Sequence, residues 1–195
     1  MSMTTDGRRA RGDATRQKVA RYAADQATLH GLDSVSVGQL ATATGVSKSG
    51  ILTVFENREA IQLAAIAEAR RVFVAEVVAP VWTVEAGAPR LRALVESWAA
   101  YVRRHVFPGG CFLVTTSAEY GAQQGGVADA VRALKREWLE VLASDAALAG
   151  GDGRKAAFAL DAFLAAGSVR HALFEDDAEL ELAVSCAFDV IDALG

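Results

Sequence analysis

Residues 36–55 carry the pattern that most restricts the fold of this chain, because they predict two short helices joined by a tight turn. Ser36 and Ser47 each precede a helical run, where a side-chain oxygen can accept a hydrogen bond from a free backbone N–H. Gly45 lies between the two runs, and glycine readily adopts the positive φ that turns the corner. The segment therefore predicts a helix-turn-helix unit. The residues expected to point inward are Leu40, Val46, Ile51 and Phe55.

The second of these helices presents a distinct outward face. Its members, which recur at helical spacing opposite the inward residues, are Lys48, Ser49, Leu52 and Thr53. Side chains at such spacing lie on one side of a helix. A short helix that shows hydroxyls and a lysine, and that packs on a partner helix, suits a groove of DNA.

Composition favours a soluble helical protein. Hydrophobic residues make up 52% of the chain and only 3 prolines occur, so the chain can bury a large core and favours helices over sheets. We see no apolar run of membrane-spanning length and no signal peptide, and we therefore expect a cytoplasmic protein that has no membrane partner. Cys111 and Cys186 match no metal spacing, and a disulfide between them is not expected in a reducing compartment.

Charge is distributed unevenly along the chain. Residues 1–58 hold 8 Lys/Arg and 5 Asp/Glu, a net charge of +3, whereas residues 59–195 hold 12 and 19, a net charge of −7. A basic first third and an acidic remainder indicate that nucleic acid, if bound, meets the N-terminal part. A basic tail alone would produce the same asymmetry.

The helical periodicity divides the chain into a tail and two units of an all-α protein. Residues 1–12 are predicted to be a disordered tail, either solvated or acting as an arm that contacts phosphates or the minor groove. Residues 13–58 form the N-terminal unit, and residues 59–195 form the helical body. A long helix over residues 59–78, stopped by Pro80, is predicted to open the body and to be followed by five further helices.

Residues 16 to about 63 resemble the DNA-binding domain of the TetR family of transcriptional regulators. The ordered match extends over nearly 50 residues and is far more specific than a lone helix-turn-helix. The matching positions are Arg16, Gly31, Ser36, Val37, Leu40, Ala41, Gly45, Val46, Ser47, Lys48, Phe55, Arg58, Glu59, Ala60 and Ile61. A shorter run, residues 107–112, resembles one branch of the same family.

The resemblance implies that the N-terminal unit binds double-stranded operator DNA. The DNA-contacting residues that it implies are Arg16, Ser36, Val37, Thr42, Ser47, Lys48, Ser49, Gly50, Leu52, Thr53 and Arg58. Two positions depart from the family pattern: Leu52 stands where a tyrosine commonly contacts phosphate, and Val54 replaces a tyrosine or histidine. Each lost hydrogen bond is worth roughly 1 kcal/mol, so binding could weaken severalfold or more unless other contacts compensate. Leu52 could instead touch thymine methyl groups, while packing is favoured for Val54.

The body is predicted to be a helical bundle with a small-molecule site between its helices. The residues expected to line that site are Trp98, Tyr101, Cys111, Phe112, Thr115, Glu119, Tyr120, Trp138, Phe163 and His171. A mostly apolar or aromatic effector is preferred, and no cofactor or metal is expected. Simple core packing is the alternative for each aromatic residue.

The last two helices, residues 154–174 and 178–194, are predicted to pair two copies of the chain, as such helices do in the family. The combined interpretation is a ligand-responsive homodimeric regulator that acts as a repressor on a palindromic operator. Two alternatives remain: the same fold with weak DNA binding, and a helical carrier or enzyme using Glu119 and His171 as an acid–base pair.

Overall fold

The computed structural model describes residues 3–195, which are helical throughout their regular structure. Nine α-helices follow one another in these residues. Their bounds are α1 Met3–His30, α2 Val37–Thr44, α3 Lys48–Val54, α4 Arg58–Phe73, α5 Ala88–Arg103, α6 Phe112–Glu119, α7 Gly126–Leu148, α8 Gly153–Phe174 and α9 Ala178–Asp192. The all-α fold predicted from the sequence is confirmed.

The ends of the short N-terminal helices are fixed by local hydrogen bonds. The hydroxyl of Ser36 accepts from the N–H of Gln39, and the hydroxyl of Ser47 accepts from the N–H of Gly50. Gly45 ends α2 in the left-handed conformation at a φ of 69°, which glycine adopts without steric cost. These contacts satisfy N–H groups that a helix terminus leaves free, so the helix-turn-helix forms as the sequence predicts.

Helix α1 is longer than expected. It begins at Met3, so residues 3–12 of the predicted disordered tail are helical, while residues 1 and 2 lie outside the described residues. The segment contains no proline, and its alanine and arginine are good helix formers. The glycines at positions 7 and 12 lower the helix propensity without breaking the helix.

The long helix after the N-terminal unit changes its winding at its far end. Regular α-helix stops at Phe73, and a π-helical turn Val74–Val78 and a 3₁₀ turn Ala79–Val81 follow. Pro80 is the second residue of that last turn, where its missing N–H costs no helical hydrogen bond. The sequence predicted one uniform helix to residue 78, and the wider π turn was not visible in the apolar pattern.

The body packs around α5 and α7, and α8 and α9 pack closely together beside them. Close approach of α8 and α9 depends on Gly167, because a Cβ there would lie 2.5 Å from the Cβ of Ala183. The core is continuous from the N-terminal unit into the body. Its largest buried side chains include Trp98, Tyr101, Phe55, Phe107 and Phe112.

Candidate nucleic-acid interface and effector groove

The outward face of α3 is solvent-accessible as a unit. Its exposed members are Lys48, Ser49, Leu52 and Thr53. On the opposite side Ile51 and Phe55 are fully buried and attach the helix to α1 and α2. Within the described residues, the ammonium of Lys48 has no ion-pair partner, so its charge is available to an anionic ligand.

Several hydroxyls on this unit already make backbone contacts. Ser36 and Ser47 cap their helices, Thr42 donates to the carbonyl of Gly38, and Thr53 donates to the carbonyl of Ser49 at 2.8 Å. All four residues are exposed, and a hydroxyl oxygen can accept a second hydrogen bond. Val37 and Gly50 are half-buried at the starts of their helices.

Arg16, predicted to bind DNA, is exposed and also makes contacts inside the N-terminal unit. Its Nη2 donates to the carbonyl oxygen of Val54 at 2.6 Å, and its guanidinium lies 4.7 Å from the ring centre of Phe55. The arginine therefore satisfies a free carbonyl at the end of α3 and covers a core aromatic. Arg58 is half-exposed and lies 3.9 Å from Asp33.

The two departures from the family pattern differ in their surroundings. The side chain of Leu52 is 55% exposed, on the same face as Lys48, whereas Val54 is half-buried against the core. Leu52 is thus open to a partner, and Val54 contributes to packing.

Glu119 and Tyr120, predicted to line a ligand site, contact the N-terminal unit. The two carboxylate oxygens of Glu119 accept the backbone N–H groups of Leu32 and Asp33 at 2.7 and 2.9 Å. The Tyr120 hydroxyl donates to Asp33 Oδ1 at 2.6 Å, and Gln62 Nε2 donates to the same oxygen at 2.9 Å. We call this set of five residues the Asp33 joint.

The charges of the Asp33 joint respond to these contacts. The hydrogen bond from Tyr120, with those from Gln123 and Gln62, holds the pKa of Asp33 below its usual value. Burial and the neighbouring Asp33 carboxylate raise the pKa of the Tyr120 hydroxyl. The joint therefore holds an ionised aspartate and a neutral tyrosine at neutral pH.

Four further predicted ligand residues belong to the core. Trp98, Tyr101, Cys111 and Phe112 are each at most 2% exposed. The small cavity that Tyr101 and Phe112 share has a volume of about 10 Å³, which is too small for an organic ligand. These side chains belong to the hydrophobic core. Burial raises the pKa of the Cys111 thiol, and a thiol that stays protonated is a poor nucleophile.

The remaining predicted ligand residues lie apart from one another. Thr115 donates to the carbonyl of Cys111, and Phe163 is half-buried on α8. His171 is buried, with Nδ1 lying 3.2 Å from the carbonyl of Asp176, and its ring stacks on that of His105. Since Glu119 and His171 are engaged with different partners, the acid–base pair of the enzyme alternative is not formed.

An open apolar groove of about 880 Å³ lies between the α4 end and α7. Of the ten predicted ligand residues, Trp138 lines it. The rest of its wall was missed by the sequence reasoning; it includes Phe73, Val74, Val78, Trp82, Leu113, Leu134 and Val141. The π-helical turn supplies two of these residues, and because that turn follows from tertiary packing, no sequence signal identified the site.

Polar groups of the groove are few. Arg70 of α4 and Glu137 of α7 pair across it, with Arg70 Nε 2.6 Å from Glu137 Oε2, and Glu140 and Ser144 complete the polar lining. A mainly apolar groove with a few polar groups at known positions is the usual form of a small-molecule site.

One wall of the groove is supported from behind by a buried ion pair. Arg90 stacks on Trp82 at 4.5 Å and binds Asp145 through two hydrogen bonds of 2.8 and 2.7 Å. Asp145 also accepts the backbone N–H of Gly87 at 3.0 Å. The α4–α5 connection, which carries Trp82, is thereby attached to α7.

Helix α8 carries an exposed apolar stripe. Its members, spaced by three or four residues, are Phe158, Ala162, Ala166, Val169 and Leu173. Phe158 is 76% exposed and Leu173 is 70% exposed, and no charged residue interrupts the stripe. Ala157, Leu160 and Leu164, on another side of α8, are buried within the chain, so the stripe is the apolar face of α8 that stays exposed.

The same helix corrects the expectation that no run could span a membrane. By length and composition alone, Gly153–Phe174 could do so. One such helix is weak support for a membrane span, since α8 packs on α7 and α9. Within residues 3–195, no group of three or more His, Cys, Asp or Glu side chains could hold a metal ion.

Comparison with known proteins adds to this geometry. A family model described as "Tetracyclin repressor-like, C-terminal domain" matches residues 87–187, just over half of the chain. No curated protein matches this chain.

Solved structures share the fold over nearly the whole chain. A TetR-family transcriptional regulator from Streptomyces coelicolor is 23% identical, with a TM-score of 0.81 and coverage of 92% of this chain and 95% of that one. A TetR transcriptional regulator from Chloroflexus aurantiacus is 22% identical, with a TM-score of 0.85 and coverage of 94% and 96%. AibR, solved in complex with isovaleryl coenzyme A and operator DNA, is 17% identical, with a TM-score of 0.71 and coverage of 89% and 98%.

Proposed function

Because this chain belongs to the TetR family of transcriptional regulators, we propose that it is a homodimeric repressor that binds a palindromic operator and releases it when a small molecule occupies the α4–α7 groove. The observation that carries the proposal is the exposed α3 face with its unpaired Lys48, held on a capped helix-turn-helix. We place the protein in the cytoplasm with its DNA and assign it no catalytic role.

In the proposed complex α3 lies in the major groove. Lys48 neutralises a phosphate, and Ser49 and Thr53 accept or donate hydrogen bonds at the groove edge. Exposed Leu52 contacts thymine methyl groups in place of the phosphate contact that a tyrosine would make. Residues 13–58 act as the DNA-binding domain and residues 59–195 as the ligand-binding and dimerisation domain.

The α8 stripe supports the proposed dimer. Exposed apolar patches of this kind on a soluble protein mark interaction sites. A two-fold axis would place the stripe against its own copy, as an isologous contact requires. Pairing of α8 and α9 with their counterparts makes a four-helix interface and sets two α3 helices at a fixed separation.

The groove supports a mainly apolar or aromatic effector. Its wall carries Phe73, Trp82 and Trp138, which offer flat surfaces to a ring system. The similar protein AibR was solved in complex with isovaleryl coenzyme A and operator DNA, and this chain is likewise proposed to bind an effector and an operator. An occupant would press on the α4 end, and α4 leads directly into the N-terminal unit.

Selection from a random duplex library, followed by affinity measurements at several salt concentrations, tests the DNA-binding part. The wild-type protein is expected to select a palindrome and to lose affinity steeply as salt rises. Lys48→Ala should weaken binding to all sequences and lower the salt slope by about one. Arg136→Ala is the control, because Arg136 is an exposed cation on α7, outside the helix-turn-helix and outside the proposed dimer helices, and should leave both quantities unchanged.

The same library distinguishes the weak-binding alternative. Leu52→Ala should relax the preference for thymine at one position of each half-site if Leu52 contacts its methyl group. Failure of the wild-type protein to bind any duplex would refute the proposal.

A further inference from the structure

We propose that Glu119 and Tyr120 are positioning residues that fix the N-terminal unit on the body and thereby set the half-site spacing that the dimer accepts. The proposal rests on the proposed function, since it concerns a DNA-binding dimer. It adds a connection between the body and the N-terminal unit that does not depend on the continuous path of the chain through α4.

The contact between Glu119 and the N-terminal unit is built for a carboxylate. The two oxygens each accept one backbone N–H, from Leu32 and from Asp33. These N–H groups lie at the start of the 3₁₀ turn Leu32–Ser34, where the turn itself offers them no carbonyl acceptor. Gly31 permits the approach: its φ is 86°, and a Cβ there would lie 3.0 Å from Glu119 Oε1.

A reciprocal set of contacts holds the side chain of Asp33. Tyr120 and Gln62 donate to Oδ1, and Gln123 donates to Oδ2 at 3.3 Å. Two parts of the body therefore meet at one carboxylate: the segment after α6, through Tyr120 and Gln123, and α4, through Gln62. Hydrogen bonds to a charged acceptor are the stronger kind, so the joint resists small displacements.

The joint stands next to the DNA-reading helices. Leu32 is fully buried, and Ser36, four residues further on, caps α2. A displacement of the turn Leu32–Ser34 therefore moves α2 and, through their packing, α3. Because the Asp33 carboxylate also accepts a hydrogen bond from Gln62 of α4, rotation of α4 alone would break hydrogen bonds at Asp33.

The other end of α6 reaches the proposed effector groove. Leu113, near the start of α6, lines that groove, and Glu119 follows six residues later, about 9 Å along the helix axis. A helix of this length moves as a rigid rod. An occupant that displaces Leu113 would therefore displace the carboxylate that holds the N-terminal unit.

Two variants test the proposal without knowledge of the effector. Glu119→Gln places an amide NH₂ opposite one of the two donor N–H groups, and Tyr120→Phe removes only the hydroxyl that binds Asp33. Glu85→Gln is the matched control, because it makes the same chemical change at an exposed position of the α4–α5 connection, outside both the joint and the groove lining.

Amide hydrogen exchange directly measures how well the joint protects the two backbone N–H groups that Glu119 binds. Exchange at Leu32 and Asp33 should become faster by about tenfold in Glu119→Gln, as expected when one charge-assisted hydrogen bond is lost, and should be unchanged in Glu85→Gln. Unchanged exchange in Glu119→Gln would overturn the proposal.

The dependence of operator affinity on half-site spacing measures the consequence for DNA binding. Affinities are measured for the selected operator, for versions with the half-sites one base pair nearer or farther apart, and for a single half-site. Both joint variants should discriminate less between spacings, by about tenfold for Glu119→Gln, while affinity for the single half-site stays as in the wild type.

Two results would refute the positioning role. Wild-type discrimination in both variants would show that the joint is dispensable and that α4, with the contacts of Arg21 and Thr28 on α1 to Val106 and Gly109 of the body, orients the N-terminal unit. A parallel loss of single half-site affinity would show that the variants damage the reading surface itself. If the wild-type protein binds no duplex, the proposed function fails, and the exchange measurement still decides whether the joint holds the turn.

Discussion

Replacing Asp145 with alanine should destabilise the body far more than the loss of a surface ion pair. The side chain of Asp145 is 2% exposed and that of its partner Arg90 is 14% exposed. The carboxylate accepts two hydrogen bonds from Arg90 and one from the N–H of Gly87. Its removal leaves a charged guanidinium and a backbone N–H buried without an acceptor.

Breaking a buried pair in this way costs about 3–5 kcal/mol. For a chain of this size each kcal/mol lowers the melting temperature by about 2–4 °C, so Asp145→Ala should melt roughly 6–20 °C below the wild type. Asp129→Ala is the control on the same helix: its side chain is 73% exposed and pairs with Arg132, and its loss should cost less than about 0.5 kcal/mol.

Thermal and urea unfolding, followed by circular dichroism and by tryptophan fluorescence, measure the effect. Because Arg90 stacks on Trp82, the emission of the folded variant should also shift toward that of a more solvated indole. The double variant Arg90→Leu with Asp145→Leu should recover much of the loss, since it removes both buried charges.

A loss below about 1 kcal/mol for Asp145→Ala would refute the reasoning, because it would mean that water replaces the carboxylate at low cost. An equal loss in the double variant would assign the effect to packing around α7 instead of to the unpaired guanidinium.

Three further predictions concern the interface, a helix cap and pH. Phe158→Glu places a charge in the α8 stripe and should convert the dimer to monomer in sedimentation equilibrium; an unchanged dimer would exclude the stripe from the interface. Ser47→Ala removes the α3 cap and should cost about 1 kcal/mol of unfolding free energy as measured in urea, together with operator affinity; unchanged stability would contradict the cap. The folded-state pKa of Asp33 is lowered, so its ionised form stabilises the fold above the unfolded pKa and that contribution is lost as pH falls through the folded pKa. Asp33→Asn should therefore be less stable than the wild type at neutral pH and approach it in acid, and a constant difference across the pH range would contradict the assignment.

The N-terminal unit shows how far local signals reach. Ser36 and Ser47 each bond an N–H three residues away, and Gly45 needs only its own backbone freedom. Such contacts involve only a few neighbouring residues, so they can be predicted from the local sequence. The outward face of α3 follows from helix geometry once the caps are placed. The sequence therefore predicted this unit and the orientation of Lys48, Leu52 and their neighbours.

The body shows where local signals end. Trp98 and Trp138 have the same apolar, helix-spaced character in the sequence, and yet one is core and the other lines the groove. Likewise the sequence shows Glu119 only as an acidic residue on an apolar helix, whereas its hydrogen-bond partners in the structure lie 86 and 87 residues away along the chain. Periodicity states which side of a helix is apolar, without stating which neighbour covers it.

By itself, the sequence determined the all-α class, the helix-turn-helix with its caps, and the family, because each depends on patterns within one segment. Only the tertiary structure decided that Arg16 serves the end of α3, that the groove lies beside a π-helical turn, that α8 leaves the stripe with Phe158 exposed, and that Glu119 holds Asp33 and Leu32. These features arise when helices distant in sequence meet, and the free energy of each contact depends on the surface that the partner helix brings.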